Sequence, residues 1–204
     1  MRSKFFLSKL NSLLNFGATM INLFKNNFLA IGAVLLLLAS LRLFPHPANF
    51  TPVGAIAILG GYFFSRYKWA LWIPVIIMFL SDLALEISYR LGYARFAGFN
   101  DIMVFVYPAF LLMAFCGSMA AKKSGWAPVV GATLAGSLLF FIITNFGYWV
   151  FYMPKTGSAL VQSYVQAIPF FKSTLAGDLF YTGTGFLLIS LWQRKAGHST
   201  SAAA

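Results

Sequence analysis

Charge along this chain is sorted by position. Fifteen Lys and Arg stand against four Asp and Glu. The basic residues gather in short clusters between long apolar stretches: Arg2, Lys4, Lys9 and Lys25, then Arg66 and Lys68, Lys122 and Lys123, and Arg194 and Lys195. The acids Asp82, Glu86, Asp101 and Asp178 lie near the alternate gaps. A nucleic-acid binder concentrates its positive charge in one patch or stripe, so no nucleic-acid partner is expected. With mean hydropathy +0.78 and 60% hydrophobic residues, the spacing is that of a chain threaded repeatedly through a lipid bilayer.

A helix needs about 20 apolar residues to cross roughly 30 Å of hydrocarbon. On that measure the sequence predicts an all-α bundle of six spans: Asn26–Leu43, Thr51–Ser65, Lys68–Tyr89, Asp101–Ala121, Ala127–Tyr152 and Phe171–Gln193. The second is short and Gly-rich, but an odd number of crossings would break the charge alternation. Ten of the fifteen basic residues then share the side that holds both termini, and no acid lies there. The other side holds Arg42, Arg90, Arg95, Lys155, Lys172 and all the acids. The positive-inside rule puts both termini in the cytoplasm.

Residues 26–193 form the membrane domain on this reading. Residues 1–25 lack the apolar core and cleavage site of a signal peptide. Phe6, Leu10, Leu13, Leu14 and Gly17 recur at helical spacing opposite Lys4, Ser8 and Asn11, as in a basic amphipathic helix lying on the membrane surface; a basic leader that only sets topology is the alternative. Residues 194–204 are small and polar, and are expected to be disordered. The single cysteine, Cys116, excludes an intramolecular disulfide and reads as a small buried hydrophobe. No phosphate-binding loop, metal-ligand cluster or nucleophile–base set is present, so neither enzymatic activity nor a cofactor is expected. Any driving energy comes from a partner or a gradient.

Ionisable groups are costly inside a bilayer, roughly 2.5–3.5 kcal/mol for Asp at a helix centre, so each calls for a reason. Asp82 in the third span, Asn145 in the fifth and Asp178 in the sixth fall at similar depth in the outer half. The segment from Arg42 to Ala55 leads to the same level. Its Pro45, Pro47 and Pro52 forbid a continuous helix, so it reads as a rigid re-entrant or capping loop, with His46, Asn49 and Thr51 at the mouth of a shared cavity. The connection 153–170 carries Gln162, Tyr164 and Gln166 and suits an amphipathic helix or a lid over the cavity.

Plainer readings stand beside these. Asp82 can pair with Arg42 or Arg95 as a clamp. Asn145 can make an interhelical hydrogen bond. Asp178 can cap the sixth helix, and His46 can simply pack in its loop. Trp149, one turn after Asn145, either stacks on a planar ligand or belongs to the aromatic belt at the membrane surface. Ala57 and Gly61 form a small-residue face open to a close helix contact, inside the bundle or with a partner.

The stretch Arg42-x-x-Pro45-His46-Pro47-x-Asn49-Phe50-Thr51-Pro52-x-Gly54-Ala55, with Ser81-Asp82-Leu83, Thr144-Asn145-Phe146-Gly147-x-Trp149 and Ile168-Pro169-Phe170-Phe171-x-x-Thr174-Leu175-x-Gly177-Asp178, resembles an uncharacterised family of bacterial six-span inner-membrane proteins. That family is similar to the substrate-binding S components of energy-coupling-factor (ECF) vitamin transporters. The resemblance implies a small ligand held in the outer half beneath the first loop. It also implies docking on an ECF transmembrane subunit with ATPases. Ala30, Gly32 and Ala33 do not copy the Ala-x-x-x-Ala docking face of S components, which leaves a solitary transporter open.

The expected function is uptake of a small nutrient (a vitamin, a corrinoid or a metal ion) through a site built from His46, Asn49, Thr51, Asp82, Asn145, Trp149 and Asp178, with Ala57 and Gly61 as a partner-docking face. The alternative is a non-transporting accessory subunit packed against a larger membrane complex.

Overall fold

The computed structural model describes residues 28–44, 47–66, 71–123 and 125–201, with side chains as far as Gln193. The amphipathic segment expected over residues 1–25, and His46, lie outside the described residues. Six helices and no strand are found among those that are described. They are α1 (Phe28–Leu41), α2 (Val53–Phe63), α3 (Trp72–Arg90), α4 (Met103–Ala120), α5 (Trp126–Tyr152) and α6 (Gly157–Ser201).

Length and composition separate these helices into two groups. α3, α4, α5 and the Gly157–Gln193 stretch of α6 are each long and apolar enough to cross a membrane. Large apolar side chains such as Trp72, Ile76, Val104 and Phe180 stand exposed on them. Four such helices suggest a membrane protein. α1 and α2 are apolar but shorter.

Successive helices run in opposite directions. The ring of Phe28, at the described start of α1, lies 5.0 Å from that of Phe64, just past the end of α2. Tyr152 at the end of α5 donates to Asp101 ahead of α4 at 3.3 Å. Trp126 at the start of α5 meets Phe186, far along α6, at 4.7 Å. The connections 42–52, 91–102 and 153–156 therefore gather at one end of the bundle. Those after α2 and α4 gather at the other.

α2 departs most from a conventional span. Its 11 residues rise about 16 Å, half of what a bilayer needs. Gly54 through Gly61 are all buried, and α3, α4, α5 and α6 pack around them, α4 most closely. The backbones touch: a Cβ at Gly61 would collide with the Ala114 carbonyl of α4, and one at Gly117 with the Ile58 carbonyl of α2. Small residues thus let two helices approach to backbone contact, as in membrane helix pairs generally. Ala57 is fully buried and Gly61 is sealed under α4. The partner-docking role expected for Ala57 and Gly61 is therefore corrected, since both are used within the bundle.

α6 also differs from expectation. The long connection before Phe171 is only the turn 153–156, and the helix starts at Gly157 with Pro169 inside it. In the sequence Pro169 reads as a break. In the protein the helix runs through it, at the loss of one backbone hydrogen bond. The helical backbone continues to Ser201, through much of the tail expected to be disordered from residue 194.

Candidate functional site

The polar side chains that the sequence places at one depth fall in three separate neighbourhoods. The first surrounds Asp82 on α3, whose side chain is fully buried. Arg42, just past the end of α1, pairs with its Oδ1 at 2.8 Å, and Tyr107 of α4 donates to Oδ2 at 2.8 Å. The same guanidinium donates to Ser81 Oγ and lies 3.2 Å from Met78 Sδ. One turn on, Glu86 holds Arg90 at 2.7 Å and accepts from the amides of Gly98 and Phe99. Asp82 thus ties α1, α3 and α4 together, and Arg42 is its partner instead of Arg95. Arg42 balances the charge of this buried carboxylate, so its burial is accounted for without a ligand.

The second neighbourhood surrounds Asp178 of α6, 2% exposed. Ser137 of α5 donates to its Oδ2 at 2.6 Å, and the Gly54 amide donates to the same carboxylate. Gly54 lies in the first turn of α2, whose N-cap residue is Pro52 and offers no side-chain cap. Asp178 therefore supplies from another helix the acceptor that a Ser or Asp at the N-cap would give. Its negative charge also complements the positive end of the α2 dipole. Glycine is required at 54, since a Cβ there would overlap the Asp178 carboxyl group. One turn beyond Asp178, the Thr182 hydroxyl is buried with no partner among the described residues.

The third neighbourhood is open. The halves of α5 and α6 nearest their shared turn part around a cavity of about 480 Å³ that the loop before α2 reaches through Asn49. Its polar lining is Asn49, Thr144, Asn145, Tyr148, Ser163, Gln166 and Thr174, and the rings of Phe140, Phe141, Phe170 and Phe171 supply apolar walls. The volume lies in the usual range for small-molecule sites. Asn49 reaches it through a turn closed by the Phe50 amide on the Pro47 carbonyl at 3.0 Å. Asn49 takes φ 60° there, a left-handed conformation that asparagine tolerates better than most residues. Phe50 then packs on Phe180 and Tyr181 at 5.8 and 5.4 Å, and Gly177 leaves room for the loop backbone at Phe50 and Thr51. Irregular backbone at this level is tolerated because it lies against helices and a cavity.

Among the residues proposed from sequence, Asn49 and Asn145 share this cavity. Asp82 and Asp178 do not reach it and hold helices together instead. Thr51 packs its backbone on Gly177, outside the lining. Trp149 also stands outside: its Nε1 donates to the Pro154 carbonyl at 2.9 Å, and Lys155 lies over its ring at 5.4 Å. It anchors the turn between α5 and α6. Sequence reasoning missed Thr144, Tyr148 and Thr174 and left Gln166 in a connection. The available signal was spacing, with Phe141, Asn145 and Tyr148 on one face of α5, and Gln166, Phe170 and Thr174 on one face of α6. Among the described residues no group of three His, Cys, Asp or Glu could hold a metal ion.

Fold and cavity together define an all-helical bundle of membrane-protein character, with a neutral cleft between its last two helices. The chain belongs to the family of unknown function DUF6580, whose model matches residues 22–201. No curated protein and no solved structure matches the chain.

Proposed function

We propose that this protein is a membrane-embedded substrate-binding component or solitary transporter for uptake of a small nutrient, with the α5–α6 cavity as its binding site. The observation that carries the reading is the cavity itself, of ligand size and lined by amide groups and aromatic rings beneath an ordered loop. In this reading α1 and α2 complete a six-span, S-component-like topology, with α2 as a sheltered inner half-crossing. Arg66, Lys122 and Lys123 sit at the end away from the cavity, and the positive-inside rule makes that end cytoplasmic. The cavity then faces outward, and the protein works alone or on an ECF transmembrane subunit with ATPases.

Cysteines introduced at Ala48 and Ser158 should label from outside intact cells, whereas one at Lys123 should not; the opposite pattern would invert the orientation. Purified protein should melt at a higher temperature with its nutrient bound. A panel of vitamins, nucleobases, nucleosides, corrinoids, cobalt and nickel that shifts nothing would favour the accessory-subunit reading.

A further inference from the structure

The cavity lining specifies more than size. Three of its hydroxyls have spent their only proton on their own helices: Thr144 on the Phe140 carbonyl at 2.7 Å, Ser163 on Leu160 at 2.7 Å and Thr174 on Phe170 at 3.1 Å. A hydroxyl carries one donor and two lone pairs, so these present only acceptors to the cavity. Asn145 commits one N–H of its amide to the Phe141 carbonyl at 2.8 Å and keeps the second N–H beside an accepting Oδ1. The Asn49, Asn145 and Gln166 amides and the Tyr148 hydroxyl keep donors to spare, whereas every polar group of the lining can accept. The lining therefore accepts more hydrogen bonds than it donates, and the occupant must bring N–H or O–H groups.

Charge narrows the choice further. The described lining contains no Asp, Glu, Lys or Arg, and an unpaired ion transferred from water into such a site is strongly penalised. A metal ion finds no carboxylate, thiolate or imidazole among these residues. A corrinoid is too bulky for the volume. The Phe rings, with Phe141 and Phe171 packed at 4.6 Å, favour a flat occupant that stacks or lies edge-on. We infer that the cavity binds an uncharged planar heterocycle bearing several N–H or O–H donors, of the kind that nucleobases and nucleosides represent. This rests on the cavity being the binding site.

Adenosine, adenosine 5′-monophosphate and 1-methyladenosine carry one ring system in neutral, anionic and cationic form, and uridine with its monophosphate adds a second ring. Thermal melting and equilibrium binding of the full-length protein, purified in detergent, should show stabilisation by the neutral nucleosides alone. Asn145→Leu and, separately, Gln166→Leu should weaken that binding about tenfold or more, the worth of a lost buried hydrogen bond. Stabilisation by the monophosphates or by 1-methyladenosine, lost in those variants, would overturn the ligand class and leave the cavity as the site. Stabilisation by neutral nucleosides that survives both variants would overturn the cavity as their site. No stabilisation by any of the five compounds would overturn the ligand class, while a shift by another member of the nutrient panel would still uphold the cavity as a binding site.

Discussion

Two turns of α5, about 12 Å along its axis, separate Ser137 from Asn145, and the regions around them use polar groups in opposite ways. Around Ser137 and Asp178 the carboxylate is fully engaged. It holds three helices together and caps α2. Around Asn145 the lining is uncharged, and several of its groups have no partner in the protein. The Asp82 cluster follows the first pattern, with Arg42 and Tyr107 filling the carboxylate. In this bundle the buried carboxylates hold helices together, and neutral amides line the open cavity. A residue's cost of burial is thus a poor guide to its role in binding.

That contrast can be attacked by substitution, read by thermal melting in detergent. Gly61→Leu should prevent folding outright, because the new side chain meets the backbone of α4, which cannot move aside. Arg42→Ala should cost about 3–5 kcal/mol by leaving the Asp82 carboxylate buried alone. Replacing both partners, Arg42→Met with Asp82→Leu, should recover most of that loss. If Arg42→Ala melts like the parent, the clamp is not holding the fold. Asp178→Asn should cost about 1–2 kcal/mol as the α2 cap loses its charge, with ligand affinity unchanged. A large loss of affinity at constant stability would move Asp178 into the site. Thr182→Val should stabilise by about 1 kcal/mol, because it removes a buried hydroxyl that has no partner. Asn145→Leu should shift the ligand-free protein least, by less than about 0.5 kcal/mol, since its amide bonds a carbonyl of its own helix.

Much of the helical layout was legible in the sequence. The expected span Asp101–Ala121 corresponds to α4 at Met103–Ala120, and Ala127–Tyr152 to α5 at Trp126–Tyr152. Apolar length bounded by charges and turn residues fixes such ends. What the sequence did not show was which way each side chain points around its helix. A soluble helix declares its orientation through a polar face and an apolar face. α4 and α5 are apolar all round, with mean hydropathies of 1.9 and 2.0, so only depth could be read for Asp82, Asn145 and Asp178. Their division among three neighbourhoods depends on rotation about the helix axes. The α6 half of the cavity was hidden for another reason: with Pro169 taken as a boundary, Gln166 and Thr174 could not be placed on one helix face.

The shortness and full enclosure of α2 also bear on how the protein is made. Membrane insertion machinery acts on segments of about 20 apolar residues, and α2 offers 11, of which Gly54 through Gly61 are covered by protein. Its neighbours Ala114, Ser137 and Asp178 all emerge from the ribosome later, the last of them in α6. Until α6 arrives, the first turn of α2 lacks the carboxylate that receives the Gly54 amide. Among the described helices α2 is therefore made early and settles late, and the arrival of α6 becomes the event that seats it.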